Sequence, residues 1–526
     1  MTAQVRRVPQ ATAGGTPRGR RAAWAGGTAA GAVLLFLAYL HVSRRVPAGS
    51  DGGSIALQAW DMLHGNLLLH GWTVSDVPFW PTELPQYALI EAVRGLVPDV
   101  VHVAGAMTYT LVLLLAAWLA RGRATGRDGA ARLLIVAVVM LAPAPAMGPT
   151  LLMSPDHFGS AVPVLATWLA VDGWPGRWYL PPAVAVLLTW GQLADGLILV
   201  TGAAPLVIAA GARAGVKLCR RQRPWPELWL AAAAIASAGL ARAAAALLRH
   251  AGGYGVQPVA TTFAGLAALP HHLALTAQGL LALFGASFTG PLSGPDLAVA
   301  VFHLVGVATV AAAFVIALGR LGRGGDLAVP GLAVAIVLNV AAYLPSVFVQ
   351  DLRSTREISA ALPFAAVLAG RLLAGPITRA RLLPALAVAG AACAVALGYY
   401  AAQPPQPAQN GPLAAWLAGR HLSGGLSLDY GIANSTTLDS GGRITVRQIG
   451  LRNGALTRPV PRELKASWYD PARNRANFLV VSDAKPGDWG AERAAAVRTF
   501  GPPAQVLQPP GYTVLVWHEN LLAATR

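Results

Sequence analysis

The chain has 526 residues, 55% of them hydrophobic and only 12% charged, against roughly one quarter charged in soluble domains. Its 40 Lys and Arg outnumber its 23 Asp and Glu, a formal net charge of +17, but the arginines come in short clusters between apolar runs. Such clusters orient membrane spans and do not build a binding face for nucleic acid, which is excluded as a partner. Two cysteines, Cys219 in a basic loop and Cys393 inside an apolar run, give neither a disulfide framework nor a metal pattern.

Residues 1–23, rich in Arg, Gly and Pro, predict a disordered basic tail on the cytoplasmic side. The first apolar run, about 24–42, lacks a small-residue cleavage site and reads as an anchor. Further spans are predicted at 100–120, 131–149, 157–172, 178–191, 195–212, 226–247, 296–319, 327–347, 357–374 and 382–401. The chain therefore reads as an α-helical polytopic membrane protein of about eleven transmembrane helices, because only segments that satisfy their own backbone cross ~30 Å of hydrocarbon. With the tail inside, alternation puts Arg121, Arg123, Arg127, Arg177, Lys217, Arg220, Arg221, Arg223, Arg320, Arg323, Arg379 and Arg381 on the cytoplasmic face of a cell membrane. The exceptions are Arg94, Arg353 and Arg356, with Arg44 and Arg45 expected to snorkel to lipid headgroups.

An odd number of spans puts residues 402–526 outside. After the linker PPQPAQNGP, the runs LSLDYG, RITVRQI, NFLVVSD and YTVLVW predict strands and 488–499 a helix. The three parts are then a tail (1–23), a transmembrane domain (24–401) with a long first outer loop at 43–99, and a small C-terminal α/β extracytoplasmic domain in which no group of residues points to chemistry.

The first outer loop far exceeds the ~4–6 residues of an ordinary connection and carries the most ionisable side chains. Ser54 to Leu63 predicts an amphipathic helix lying in the membrane interface, with Trp60 as anchor. Asp51 stands at its N-terminus, where the dipole favours a carboxylate, and reads as either a cap or a functional acid.

The order of span, Asp51-Gly52-Gly53, helix ending in Met62-Leu63-His64-Gly65-Asn66, then Trp72 through Asp76 to Trp80-Pro81-Thr82-Glu83-Leu84-Pro85 resembles the first outer loop of the GT-C superfamily. These are membrane glycosyltransferases that use polyprenyl-phosphate sugars, among them protein mannosyltransferases and aminoarabinose transferases of lipid A. As a layout the resemblance covers most of the chain. It implies inverting transfer of a sugar from a polyprenyl-phosphate-linked donor to an acceptor in the cell envelope, among membrane lipids, with Asp51 as general base. In the family the acid usually stands in an Asp-Glu or Asp-x-Asp setting; here Gly52 follows Asp51. The resemblance leaves room for a divalent cation, Mg or Mn, although the residues themselves show no metal site.

Asp76, Glu83, Asp156, His157, Arg353, Arg356 and Glu357 complete the candidate substrate-binding set. A guanidinium matches a phosphate in two-pronged geometry, so Arg353 or Arg356 would hold the leaving phosphate and Glu357 would orient one of them. Each has a plain alternative. Asp156 reads equally as a helix cap and Arg356 with Glu357 as a surface ion pair. Two other functions fit the topology: a transporter or flippase of envelope precursors, for which Arg242 is the intramembrane candidate, and a non-catalytic scaffold. The scaffold needs no shared cavity at Asp51, Asp156 and Arg353.

Overall fold

The computed structural model describes residues 17–257, 259, 262–288, 292–320, 326–483 and 486–525; the predicted tail over 1–16 and Arg323 lie outside them. The first helix, α1 (Pro17–Ser43), starts inside the stretch expected to be tail. The long loop folds into α2 (Ser50–Leu63), β1 (Trp72–Val74) and α3 (Glu83–Arg94). Next come α4 (Asp99–Arg121), α5 (Gly126–Met140) and the short α6 (Gly148–Leu151), where the chain bends by 78°. The bundle continues with α7 (Ala161–Gly173), α8 (Leu180–Ala194), α9 (Ala204–Cys219), α10 (Trp225–His250), β2 (Gly255–Val256) and α11 (Leu269–Leu283). It closes with α12 (Gly294–Gly319), α13 (Ala328–Tyr343), a 3-10 turn (Leu352–Ile358), α14 (Ala361–Arg379) and α15 (Leu383–Ala401).

Among the described residues eight helices are long and apolar enough to cross a membrane, nine if the bent α5–α6 pair counts as one span. Helices α8 and α13 are apolar but shorter. The span expected at 157–172 is the 13-residue α7, largely buried. One of the eight, α11 with its leading turn, falls where the sequence predicts only an outer loop over 248–295. Its Pro270-His271-His272 looks like punctuation, yet proline is favoured in a first helical turn, where no N–H is needed.

The bend after α5 follows from backbone accounting. Pro143 and Pro145 cannot continue the ladder, which leaves carbonyls at the end of α5 facing an apolar interior. Tyr39 of α1 donates its hydroxyl to the Leu141 carbonyl at 2.9 Å, and Tyr109 of α4 donates to Met140 at 2.6 Å. At one end of the bundle Arg371 of α14 ties three elements together. It pairs with Asp172 at 3.0 Å and Asp326 at 2.7 Å and donates to the Leu119 carbonyl. Arg123 after α4, Arg177 after α7 and Arg213 of α9 lie at this end with Asp172 and Asp326, and Thr378 near the end of α14 donates to Asp128 at the start of α5.

The opposite end carries the long loop. Arg44 forks the Asp99 carboxylate with two 2.7 Å hydrogen bonds and Arg94 reaches the same group at 2.5 Å. Arg44 is thus an ion-pair partner and not a headgroup anchor, while Arg45 lies over the Tyr400 ring, 5.6 Å from its centroid.

The C-terminal region folds as α16 (Gly411–Gly419), β3 (Gly424–Ser427), α17 (Tyr430–Asp439), β4 (Thr445–Gln448), β5 (Gly450–Arg452), β6 (Ala455–Thr457), β7 (Leu464–Lys465), β8 (Phe478–Ser482), α18 (Pro486–Phe500), β9 (Gln505–Leu507) and β10 (Tyr512–Val516). The four predicted strands fall on β3, β4, β8 and β10, four of the five strands in a sheet of order β4-β3-β8-β10-β9, although the run LSLDYG meets β3 only at Leu426 and Ser427 and ends in α17. β3 runs parallel to both neighbours, and β10 antiparallel to β8 and β9.

A second sheet joins the two parts of the molecule. β1 of the long loop lies between β2, parallel, and β7, antiparallel, with Thr73 opposite both Gly255 and Leu464. Beside it Lys465 holds both oxygens of Asp61 at 2.9 Å, and the Trp72 indole donates to Asp61 at 2.7 Å. These partners outweigh the desolvation of Asp61 and hold its carboxyl below the usual carboxylate range. Helix α2 is not laid out on the interface as the sequence suggests. It is buried from Gly52 to Ala59, packed against α3 and α17.

Asp61→Ala leaves Lys465 and the Trp72 indole without their shared acceptor. We expect a loss of about 1–2 kcal/mol in detergent unfolding and faster protease cleavage in the 402–410 linker.

Candidate active site

A cavity of about 510 Å³ opens where the N-terminus of α2, the turn before α7, the α8–α9 turn and the 3-10 turn before α14 meet the C-terminal domain. Asp51, Asp76, Asp156, His157, Arg356 and Glu357 all line it. So do three ionisable residues outside the predicted set: Asp195, Arg462 and Glu463.

Helix geometry delivers Asp51. Gly49, in extended conformation, starts α2 without a side-chain cap, and Asp51 projects from the first turn instead of capping it. Its side chain is 51% exposed, and Oδ2 stands 3.5 Å from Arg356 Nη1. Arg356 Nε lies 3.7 Å from Glu357 Oε1, and the guanidinium also feels Asp156 and Asp76. Burial opposes its charge, but these acids hold it firmly protonated.

Gly52 has a structural explanation. A Cβ there would stand 2.7 Å from a Val101 methyl of α4 and 3.1 Å from the Ser154 carbonyl, so this face of α2 is pressed onto the bundle. Any acid at position 52 would point into packing and away from the cavity. Further carboxylates come from elsewhere in the chain.

Below Arg356, His157 bridges two acids: Nδ1 is 2.8 Å from Asp195 Oδ2 and Nε2 is 3.3 Å from Glu357 Oε2. Ser160 donates to the same Asp195 oxygen, and the Leu197 N–H to the other at 2.9 Å. Burial works against the charged imidazole, but Asp195 and Glu357 raise its pKa well above the ordinary value. Asp195, desolvated yet paired with His157, is held below the usual carboxylate range. The Asp156 side chain accepts the His157 N–H at 2.7 Å, so the capping role and the cavity position hold together. Burial pushes Asp156 up to about 7.

Glu83 does not line the cavity. It is buried behind His157 against Gly159, accepting from the Thr82 hydroxyl, and burial pushes it up to about 7. Arg353 is exposed on the 3-10 turn and is not brought to the cavity; of the two candidate phosphate arginines only Arg356 is. Arg242 is exposed on α10.

The largest surprise is the C-terminal domain, whose sequence shows no pattern tied to chemistry. It supplies Arg462 and Glu463, which immediately precede β7. Glu463 is 7% exposed, has a φ of 51°, rare for a residue with a Cβ, and lies near the hydroxyls of Ser54 and Ser75. Burial first, then the charge of Asp51, raises it to about 8. Nothing in the local sequence around Arg462 and Glu463 points to the cavity; what brings them there is the long-range pairing of β7 with β1.

Among the described residues no group of three or more His, Cys, Asp or Glu side chains is placed to hold a metal ion. Arg356 sits among the acids where a cation would go, so the donor set does not fit a metal cage.

Two measurements test this geometry. Gly159→Ala sets a methyl group onto the Glu83 carboxylate; we expect a loss of about 1–3 kcal/mol in thermal unfolding, relieved by adding Glu83→Ala. Glu463 binds its proton more tightly in the folded chain than an exposed glutamate does. Its stabilisation is complete below about pH 4.5 and fades as pH rises through about 8. Glu463→Gln should remove that decline, on the order of 3 kcal/mol between pH 5 and 8, read as melting temperature against pH.

No family model matches the chain, and no curated protein matches it. Solved structures do. ArnT from Cupriavidus metallidurans bound to undecaprenyl phosphate is 13% identical, with 94% of this chain and 98% of that one aligned at a TM-score of 0.54. The Archaeoglobus fulgidus oligosaccharyltransferase complex with Zn and sulfate is 13% identical over 91% of this chain and 72% of that one, at a TM-score of 0.48. Both are GT-C glycosyltransferases, and the ArnT likeness over nearly both full lengths gives this chain a GT-C-like membrane fold.

Proposed function

We propose that this membrane protein transfers a sugar from a polyprenyl-phosphate donor to an acceptor in the cell envelope, with Asp51 as general base. The observation that carries the reading is the facing pair of Asp51 and Arg356, 3.5 Å apart at the wall of one cavity. The ArnT neighbour, bound to undecaprenyl phosphate, supports a lipid-phosphate partner.

The donor phosphate replaces Asp51 as counter-ion of Arg356, taking charge-assisted hydrogen bonds. Asp51, released, accepts the proton of the acceptor hydroxyl as its oxygen attacks the anomeric carbon. The new carbon–oxygen bond forms as the bond to the phosphate oxygen breaks. Polyprenyl phosphate leaves with that electron pair, and the anomeric configuration inverts. A cavity lined by six carboxylates would repel a phosphate if all were ionised. Burial reduces that repulsion by raising Asp156 to about 7 and Glu463 to about 8. His157, clamped by Asp195 and Glu357, adds positive charge beneath Arg356. Asp76 and Glu357 shape the rim that the sugar contacts, and Glu83 supports the turn carrying His157.

The basic residues at the far end support a cytoplasmic position for that end by the positive-inside rule. The cavity and the C-terminal domain are then extracytoplasmic, where lipid-borne sugar and envelope acceptor meet. Asp51→Asn should lower transfer from a polyprenyl-phosphate sugar by about 10²–10⁴-fold while the protein still inserts and elutes as wild type. A mutant with wild-type turnover would remove Asp51 from the mechanism.

A further inference from the structure

A second, larger cavity of about 750 Å³ lies at the basic end of the bundle. Helix α7 connects the two sites: it follows the His157–Ser160 turn and ends beside Asp172, its 13 residues spanning ~20 Å. The second cavity thus has no access to the chemistry described above.

Its carboxylates are already balanced from within. Asp172 and Asp326 are both taken by Arg371, whose side chain is only 5% exposed. Glu227, at the start of α10, is held by Lys217 at 2.6 Å and Arg213 at 3.3 Å. Two further arginines of the lining, Arg123 and Arg177, are exposed and have no carboxylate within ion-pair range among the described residues. The pocket therefore offers two guanidinium groups to an anion.

Two more observations narrow the ligand. The Glu227 side chain is 7% exposed, and its Oε2 is buried with no hydrogen-bond partner, an acceptor awaiting a donor. The lining also includes Trp178, Trp225 and Trp229, exposed by 85%, 62% and 63%, the residue type that settles at the level of lipid headgroups. A phosphate on Arg123 and Arg177, a hydroxyl donated to Glu227 and an apolar body beside the tryptophans together describe one class of molecule.

We propose that this cavity binds the headgroup of an anionic glycerophospholipid with headgroup hydroxyls, its phosphodiester on Arg123 and Arg177. The shared chemistry with free phosphate is the anion; the tryptophans and the Glu227 acceptor favour the lipid. This site is independent of the transferase reading.

The test uses the full-length purified protein, delipidated in detergent, with native mass spectrometry against phosphatidylglycerol, phosphatidic acid and inorganic phosphate. One phosphatidylglycerol should bind per chain, at least five-fold tighter than phosphatidic acid, which lacks the hydroxyls. Arg123→Gln/Arg177→Gln should weaken it at least ten-fold. Arg379→Gln/Arg381→Gln, an equal charge change at the same end but outside the cavity, should shift it less than two-fold. Equal losses in both double variants would reduce the effect to general surface charge and overturn the site. Displacement by millimolar inorganic phosphate would assign the arginines to the free anion and overturn the lipid; persistence of the bound lipid supports it.

Discussion

The cavity end of this molecule depends on a three-strand pairing between segments far apart in sequence. β1, from the first loop, takes β2 on one side and β7 on the other, so Thr73 is matched to Gly255 and Leu464 at once. β1 spans only three residues and β2 and β7 two each, too few for strands that short to stand alone in water. The ion pair of Lys465 with Asp61 and the edge-on contact of Trp72 with Trp468 brace it. Through this sheet the loop, the segment after α10 and the C-terminal domain become one wall. Arg462 and Glu463 reach the cavity because they enter β7.

The cavity is organised around crowded negative charge. Two devices make the crowding tolerable: cations inserted between acids, as Arg356 and His157 are, and burial deep enough to favour the protonated form, as at Asp156 and Glu463. Asp51 is the cavity carboxylate that is both half-exposed and directly opposite a guanidinium. In the proposed reaction an incoming phosphate competes with it for Arg356, so the contact that marks the acid is also the means of freeing it.

Much of the architecture was legible in the sequence. Apolar length gave most of the bundle, alternation gave four strands of the C-terminal sheet, and the long first loop with Asp51 pointed to the end of the bundle where the charged cavity lies. What could not be read depended on contacts between distant segments. Arg44 looked like a headgroup anchor because Asp99, its partner, is 55 positions away. Glu463 drew no expectation because nothing local betrays the pairing of its segment with the first loop. Gly52 looked like a lost acid, whereas the close approach of α2 to Val101 makes it a packing residue. Helix α11 was obscured by a proline whose position in the first turn makes it a helix start and not a break.

The thinness of α2 on both faces carries a wider consequence. Gly52 meets the bundle, and Gly53 meets the Asn434 backbone of α17 at 3.3 Å from where a Cβ would sit. The helical bundle, α2 and the C-terminal domain are therefore matched as three surfaces, with the ladder at β7 as a fourth point of fit. The C-terminal domain is not an interchangeable module. A graft from another protein would have to bring Arg462 to Lys465, the Asn434 turn of α17 and a first loop cut to the same relief, so these stretches of sequence are heritable only as a set.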